Sequence, residues 1–477
     1  MSEASSLLSN TFAQRSGSTA LICGEIRLSY AQLYRRAASL VERLRLDGIN
    51  RRMTVAVELS NSIDFAVVYI AGAVGGYRIV PVNPALPESQ KQYLYANTPP
   101  DKIIRKGLHL DDTAILKVHD SGYHFDPDAE LIFFTSGTTS QPKGVRHSFA
   151  RMVENVSAFN RLAGIDETTV MINVMPMSYM AGFLNTLLSP LLAGGTVIIT
   201  PGFSADMARN FWPLAIQHDI NTLWLSPTMA AMLARLNRSE EITAWTTKNL
   251  HQIFVGTAPL PQTVRNAFET VFGVICRESY GMTEVLLVSC QVEEDGFCDG
   301  SVGRVLDGVE IQTRNAAGHD LTPGEEGELW LRSPYMLIEY RIGECGEPQQ
   351  PFLDEWLPTG DLGRIDSQGR LYITGRLKDL IIHGGINVSP RAVEDVLISH
   401  PEVSEAAVLG KAHPFWGEEV IAFIALKNES PSKLEDLKSY CQARLVPDAV
   451  PSRFEVLSKL PMTVTGKIRK ELLRKHL

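Results

Sequence analysis

Apolar and polar positions follow a strand–helix–strand rhythm along the first three quarters of the chain. Short apolar runs typical of buried parallel strands alternate with longer segments of helical periodicity. The predicted strands cover residues 54–59, 77–82, 197–200, 222–225, 252–255 and 274–277. An apolar helix is expected over 65–74, and Ser29 is placed as the N-cap of an earlier helix. The pattern predicts an α/β unit with at least one parallel sheet.

The pattern changes after about residue 302, where turn signals become frequent and the runs between them shorten. Residues 327–332 and 370–374 predict an antiparallel, barrel-like β unit. Beyond Arg376 the pattern is mixed again. Strands are expected over 379–382, 406–409 and 420–426, and helices over 390–399 and 432–444. A small α+β unit of ~100 residues with its own core is therefore predicted at the end of the chain.

One stretch, residues 168–205, contains no charged side chain. It is long enough to cross a bilayer, which takes ~20 apolar residues. Asparagine, proline and glycine residues interrupt it, however, so the preferred interpretation is a strand, a loop, a buried helix and a second strand.

Composition narrows the class of protein. A chain of 477 residues should form two or three packed units, and its charge of −9, from 45 basic and 54 acidic residues, gives no basic footprint for nucleic acid. Six scattered cysteines without a CxxC pair argue against a zinc site or a disulfide framework. The first residues lack a signal-peptide pattern, so a cytoplasmic location is expected, with no integral membrane segment.

The most specific segment, residues 131–144, is an apolar strand followed by hydroxyl residues, glycines and a lysine. Such a loop offers backbone N–H groups and hydroxyls to an anion, with Lys143 as a point charge. It differs from the P-loop pattern because Gln141 and Pro142 precede the lysine. The alternative is a Ser/Thr-rich surface turn. The candidate anion-binding residues are Thr135, Ser136, Gly137, Thr138, Thr139 and Lys143.

This loop resembles the phosphate-binding signature of the AMP-forming adenylating enzymes, which include acyl-CoA synthetases, luciferases and peptide-synthetase adenylation domains. One departure is Ser140, which stands where glycine is usual. Four further segments match in the expected order, so the resemblance covers essentially the whole chain and is greatest to an acyl-CoA ligase. It implies ATP and Mg²⁺ as cofactors.

The resemblance assigns roles to two segments before residue 300. In residues 278–284, Tyr280 would stack on adenine, Thr283 would meet the α-phosphate and Glu284 would hold the metal. By itself this segment would be interpreted as a strand end with a turn. The remaining ATP-binding residues implied here are Ser279, Gly281, Met282 and the glycine-rich turn Gly256, Thr257 and Ala258.

The resemblance assigns further roles after residue 358. Asp361 would accept the ribose hydroxyls with help from Arg376, and Lys378 would be the hinge about which a small, mobile domain rotates. It implies a large domain of residues 1–377 and a small domain of 378–477. Gly384, Gly385 and Trp416 would line the thiol tunnel. Lys467, preceded by glycine, would be the catalytic lysine, although a solvated basic tail is the alternative.

The acid is expected to be apolar, either aliphatic or aromatic. The segment 176–182 holds no carboxylate, so an amino-acid ammonium would be buried without a partner. The acyl pocket is assigned to Tyr179, Met180, Phe183, Gly256 and Gly281. Tyr179 departs from the histidine of many acyl-CoA synthetases. Core packing is the competing interpretation for Met175, Met177, Met180, Phe183 and Leu184.

The predicted reaction joins a small carboxylic acid to the thiol of CoA through an acyl-adenylate, with catalytic roles for Lys467, Thr283 and Glu284. A carrier-protein phosphopantetheine is the alternative acceptor. Two other classes stay open at this point: a nucleotide sensor without catalysis, and an oxidative enzyme of the luciferase type.

Overall fold

A computed structural model describes residues 3–108, 122–135, 141–237, 239–298, 300–343, 345–427, 434–462 and 468–477. The helices are α1 Glu3–Gln14, α2 Tyr30–Leu46, α3 Ile63–Gly75, α4 Glu88–Asn97, α5 Phe149–Ala163, α6 Met180–Phe183, α7 Ser189–Ala193, α8 Ala205–Gln217, α9 Pro227–Leu236, α10 Glu240–Asn249, α11 Gln262–Phe272, α12 Pro390–Ile398, α13 Leu434–Gln442 and α14 Lys470–Leu473.

The first strands are β1 Thr19–Cys23, β2 Ile26–Ser29, β3 Thr54–Val57, β4 Arg78–Pro81, β5 Lys102–Ile104, β6 Glu130–Thr135, β7 Lys143–Ser148, β8 Val170–Asn173, β9 Thr196–Ile199, β10 Thr222–Leu225, β11 Gln252–Val255, β12 Arg277–Met282 and β13 Leu286–Cys290. The later strands are β14 Ser301–Val305, β15 Glu310–Arg314, β16 Gly327–Arg332, β17 Glu339–Ile342, β18 Glu347–Gln349, β19 Leu357–Ile365, β20 Arg370–Arg376, β21 Ile381–His383, β22 Ile386–Val388, β23 Val403–His413, β24 Gly417–Leu426 and β25 Arg453–Leu457.

These strands form three sheets. The largest has the order β15-β16-β19-β20-β14-β13-β12-β11-β10-β8-β9-β1-β2, and the second has the order β18-β17-β7-β6-β4-β3-β5. Strands β3 to β6 of the second sheet and β8 to β12 of the first pair in parallel, which confirms the predicted α/β unit. The third sheet contains β21 to β25.

The predicted antiparallel unit is confirmed, and it continues the large sheet. Strand β12 pairs in parallel with β11 on one side and antiparallel with β13 on the other. The hydrogen bonds therefore run without a break from the parallel strands into β13, β14, β20, β19 and β16.

Two expectations about strand position are wrong. A strand is expected over 274–277, but residues 274–276 form the connection after Gly273, which ends α11 with a φ of +64°. Strand β12 begins at Arg277 and includes Glu278, whose burial is made possible by its ion pair with Arg265. The strand expected from residue 379 begins at Ile381, because Leu377–Asp379 forms a 3₁₀ turn.

The uncharged stretch has the predicted order of strand, loop, buried helix and strand. Helix α6 passes through a π-helical segment, Leu184–Leu188, into α7, and then the chain enters β9. Among the helices that the structure describes, none combines the length and apolar character needed to cross a bilayer.

The hydrophobic cores divide along the chain. The two cores built from α1 to β20 contain residues before 372, whereas the two cores around β23 and β24 contain residues after 380. The part after residue 380 thus has its own apolar interior, as its sequence pattern predicts. Helix α12 packs against β20 and joins the two parts.

Candidate functional site

The candidate phosphate loop connects two antiparallel strands, β6 and β7. Its flanking residues, Thr135 and Lys143, are register partners across these strands. The hydroxyl of Tyr93 in α4 donates to the carbonyl of Pro142, just before β7, at 3.2 Å, which links this end of the loop to that helix. Ser136, Gly137, Thr138, Thr139 and Ser140 lie outside the described residues.

Lys143 and Glu284 are joined through a tyrosine that the motifs do not include. The Tyr340 hydroxyl donates to Oε1 of Glu284 at 2.8 Å. The Lys143 ammonium lies 5.1 Å from the centre of the Tyr340 ring, within the range of a cation–π contact. The structure therefore brings a phosphate-loop cation and a carboxylate to the same side chain.

A buried histidine supports the turn that carries Thr283 and Glu284. Nε2 of His147 in β7 lies 2.6 Å from the carbonyl oxygen of Thr283. Because a carbonyl only accepts, Nε2 carries the proton and donates. Burial lowers the pKa of His147 from 6.5 to about 4, so the ring is neutral at physiological pH. His147 thus fixes the main chain of a predicted catalytic residue.

Three predicted nucleotide-binding residues form a second cluster. The Tyr280 hydroxyl donates to Oδ2 of Asp361 at 2.6 Å, and Nε of Arg376 lies 2.8 Å from Oδ1. Asp361 and Arg376 are register partners in β19 and β20. Burial and the neighbouring carboxylate raise the pKa of Tyr280, so its hydroxyl stays protonated and donates. Each carboxylate oxygen keeps a lone pair for a further donor.

Two glycines of the predicted site occupy places with no room for a side chain. A Cβ at Gly256 would lie 2.8 Å from Oγ of Ser279, and a Cβ at Gly281 would lie 2.5 Å from the Leu286 carbonyl oxygen. The glycine-rich turn thus approaches β12 so closely at Gly256 that a side chain there would displace Ser279. Ser279 and Met282 lie in β12, beside Tyr280 and Gly281.

The backbone of the glycine-rich turn is strained at Thr257, which has a φ of +70° although it is β-branched. Its hydroxyl is buried and has no hydrogen-bond partner among the described residues. Ala258 follows and is half-buried. Backbone strain of this kind is often found at binding sites.

The segment expected to form the acyl pocket lies at the start of α6. Tyr179 is the N-cap residue, and Met180 is half-buried. Phe183 is fully buried, with its ring 4.2 Å from that of Tyr69 and close to Phe133 and Phe149. Met175, Met177 and Leu184 are buried too. The three ring contacts of Phe183 agree with the alternative of core packing, and the assignment of all these residues to an acyl pocket stays a prediction.

The residues predicted to line the thiol tunnel lie together in the part after residue 380. Gly384 and Gly385 form the two-residue turn between β21 and β22, both with positive φ. The Gly384 N–H donates to the Trp416 carbonyl at 2.8 Å, and the Trp416 ring stacks on His383 at 5.3 Å. Lys378 lies in the 3₁₀ turn that precedes this sheet. Lys467 lies outside the described residues.

The structure thus brings the predicted residues into three groups: Lys143 with Glu284, Tyr280 with Asp361 and Arg376, and Gly384 with Trp416. It adds Tyr340 and His147, which sequence reasoning does not identify as site residues. The one available signal for His147 is its place in the strand directly after the phosphate loop. Tyr340 carries no signal, because its role depends on the pairing of β17 with β7.

Comparison with known proteins gives the family. The sequence pattern of the AMP-binding enzyme family matches residues 8–341, and that of the AMP-binding enzyme C-terminal domain matches residues 392–467. The chain belongs to the AMP-binding enzyme family.

The chain is similar to proteins named as CoA ligases, and the matches extend over nearly the full length of both chains. Oxalate–CoA ligase of Arabidopsis thaliana is 29% identical and covers 95% of this chain and 94% of its own. Indoleacetate–CoA ligase of Aromatoleum aromaticum is 27% identical and covers 96% and 95%. The predicted membership among AMP-forming acyl-CoA synthetases is thereby confirmed.

A solved structure matches the fold as well. The o-succinylbenzoate CoA synthetase of Bacillus subtilis, in complex with its acyl-adenylate intermediate, is 26% identical with a TM-score of 0.82. The match covers 98% of this chain and 97% of that one. The predicted fold class, a large α/β part followed by a smaller one, is confirmed.

Proposed function

We propose that this protein is an AMP-forming ligase that activates an apolar carboxylic acid with ATP and transfers the acyl group to the thiol of CoA. The observation that carries the proposal is the segment from Tyr280 to Glu284. At one end it contacts Asp361, and at the other it contacts Tyr340 beside Lys143. This one segment therefore links Asp361, a carboxylate suited to a ribose diol, to Lys143, a cation suited to phosphates.

The side chains divide the work of the first half-reaction. Asp361 accepts the ribose hydroxyls, while Arg376 holds that carboxylate. Lys143 neutralises phosphate charge, and Thr283 meets the α-phosphate from a turn held by His147. The acid's carboxylate oxygen attacks the α-phosphorus in line, and the bond to pyrophosphate breaks. The contribution of the protein is positioning and charge neutralisation.

A magnesium ion suits the donor set at Glu284. Oε1 accepts from Tyr340, and Oε2 has no hydrogen-bond partner among the described residues. No group of three or more metal-binding side chains occurs in the described part of the chain. Mg²⁺ is commonly held by one or two carboxylates together with substrate phosphates and water. When bound it would neutralise charge on the leaving pyrophosphate.

The second half-reaction uses the part of the chain after Lys378, which we assign as a small domain of residues 378–477 following a large domain of 1–377. Rotation about Lys378 withdraws Lys467 and presents the turn Gly384–Gly385. The CoA thiol then attacks the acyl carbon, and AMP leaves. A carrier-protein thiol is the alternative acceptor.

The acid is assigned as apolar because residues 168–205 contain no charge to pair with a second acidic group. Relatives differ in this respect, since oxalate is doubly acidic and indoleacetate is largely apolar. Pyrophosphate release should be measured with a panel that contains aliphatic, aromatic, dicarboxylic and amino acids. We expect the highest kcat/KM with an aliphatic or aromatic monocarboxylate. Preference for a dicarboxylate or an amino acid would overturn this assignment.

The division of labour is tested with Lys467→Ala. Loss of a donor to the transition state should lower the rate of adenylation about 10²–10³-fold. Thioester formation from pre-made acyl-AMP and CoA should change less than threefold, because Lys467 has left the site at that stage. Lys475→Ala, in the same basic tail, is the control and should leave both rates intact. Equal losses in both half-reactions would contradict the proposal.

A further inference from the structure

Tyr340 is the point at which two separate elements of the site meet. Lys143 is the first residue of β7, whereas Glu284 lies in the turn between β12 and β13 of the other large sheet. The Tyr340 hydroxyl contacts the carboxylate at 2.8 Å, and its ring lies 5.1 Å from the ammonium. One side chain therefore contacts both charged groups.

The backbone around Tyr340 is fixed on both sides. In β17, Tyr340 pairs with Val145 of β7 and with Gln349 of β18. Just before this strand, the N–H of Leu337 donates to the Glu284 carbonyl at 2.8 Å. The tyrosine thus stands between two strands and near a main-chain bond to the same turn, so the position of its hydroxyl relative to Glu284 is well determined.

In its contact with Glu284 the Tyr340 hydroxyl is the donor, because a carboxylate oxygen only accepts. The bond occupies Oε1 and leaves Oε2 available to a bound cation. A rotating glutamate side chain loses conformational freedom when it binds a metal, and a fixed partner reduces that cost.

We propose that Tyr340 is a positioning residue that sets the distance between the metal-binding carboxylate and the phosphate-binding lysine. Its hydroxyl orients Glu284, and its ring face holds Lys143. The inference rests on the proposed function, because it takes Glu284 as the metal ligand and Lys143 as the phosphate ligand. The two roles are separable, since phenylalanine keeps the ring and loses the hydroxyl.

The experiment measures metal binding directly. Mn²⁺ replaces Mg²⁺, and free Mn²⁺ is counted by electron paramagnetic resonance in the presence of α,β-methylene-ATP, which cannot release pyrophosphate. We expect Tyr340→Phe to raise the Kd of Mn²⁺ about tenfold, the scale of a hydrogen bond to a charged group. Binding of the same analogue without metal should change less than twofold. Tyr340→Leu should weaken that metal-free binding about fivefold as well, because the ring is lost.

The control is Tyr335→Phe. Tyr335 lies five residues earlier, and its hydroxyl donates to the Asp307 carbonyl at 3.1 Å, away from the site. It should leave the Kd of Mn²⁺ unchanged, and thermal unfolding should show comparable Tm values for both phenylalanine variants. A general loss of packing would affect both alike and would overturn the proposal.

Glu284→Gln separates this inference from the proposed function. If Glu284→Gln weakens Mn²⁺ binding and Tyr340→Phe does not, the positioning role is wrong while the metal ligand stands. If neither variant weakens binding, the metal role of Glu284 fails, and the inference fails with it. If Tyr340→Phe and Tyr340→Leu weaken metal-free nucleotide binding equally, the role of the ring is wrong.

Discussion

Adding one methyl group at Gly281 tests how closely β12 approaches the main chain of Leu286 beyond the turn that carries Thr283 and Glu284. A Cβ at Gly281 would lie 2.5 Å from the Leu286 carbonyl oxygen, a main-chain atom that moves only with the turn. We expect Gly281→Ala to destabilise the protein by about 1–3 kcal/mol and to slow adenylation more than tenfold, because Thr283 and Glu284 shift. Thermal unfolding and pyrophosphate release measure the two effects.

The matched control is Gly202→Ala, where a Cβ would meet no atom within 4 Å. It should leave both the Tm and the rate of pyrophosphate release unchanged. A Gly281→Ala enzyme as active as this control would show that the turn tolerates displacement.

Protonation of His147 provides a second test at the same scale. Its pKa is about 4 in the folded protein and 6.5 ordinarily, so the unfolded chain binds the proton more readily. Its contribution to stability is complete above pH 6.5 and is lost as the pH falls through 4. Between pH 7.5 and 4.5 this linkage should remove about 2–3 kcal/mol from the free energy of unfolding.

Urea unfolding across that pH range compares the wild type with His147→Leu. The leucine variant should be less stable at pH 7.5, because the Thr283 carbonyl loses its donor, but the difference should narrow toward pH 4.5. His319→Gln, a change at an exposed histidine, is the control and should run parallel to the wild type. A constant difference between wild type and His147→Leu would refute the titration.

Elements differ in how well the sequence predicts them. The sequence pattern correctly predicts strands β10, β11 and β16 and the N-cap Ser29. A buried strand and a capping box both depend on residues that are close together in the sequence. The sequence pattern misplaces strand β12. Glu278 is charged and therefore looks exposed in the sequence, but it is buried in the fold because Arg265 of α11 pairs with it. Adjacent residues are enough to predict a buried strand or a helix cap. A contact with a residue on another element cannot be predicted from the neighbouring sequence.

The candidate site follows the same division. The motifs that carry the family resemblance are contiguous in sequence, so the chain alone is enough to predict site roles for Lys143, Tyr280, Glu284, Asp361 and Arg376. Tyr340 and His147 act through pairings between elements far apart in sequence, 56 residues for Tyr340 and Glu284 and 136 for His147 and Thr283. They emerge only from the fold.

At the scale of the molecule, two hydrogen bonds hold the part after Lys378 against the part before it. Oγ of Ser389 donates to the Thr374 carbonyl at 3.0 Å, and the Arg391 guanidinium donates to the Ile373 carbonyl. Any large rotation about Lys378 must break both bonds. We expect Ser389→Ala combined with Arg391→Ala to raise the population of undocked molecules about tenfold, from two bonds with a net contribution of ~0.7 kcal/mol each.

Limited trypsin digestion reads this population through cleavage after Lys378, followed by sequencing of the fragment that begins at Asp379. Cleavage should be about tenfold faster in the double variant, because proteolysis follows the population of the open form. Arg444→Ala, at an exposed residue in the part after Lys378, is the control. Equal cleavage rates in the three proteins would show that these bonds do not hold the docked arrangement.

Both acceptors of these bonds are main-chain oxygens, and this has a consequence for how the protein can change by mutation. Every amino acid at positions 373 and 374 presents a carbonyl oxygen, so substitution on that side alters the contact little. The donors are side chains, and substitution at 389 or 391 removes them. The strength of docking therefore depends on the side chains at 389 and 391 and much less on those at 373 and 374. A random library screened for faster or slower domain exchange should accordingly recover changes at 389 and 391 far more often than at 373 and 374.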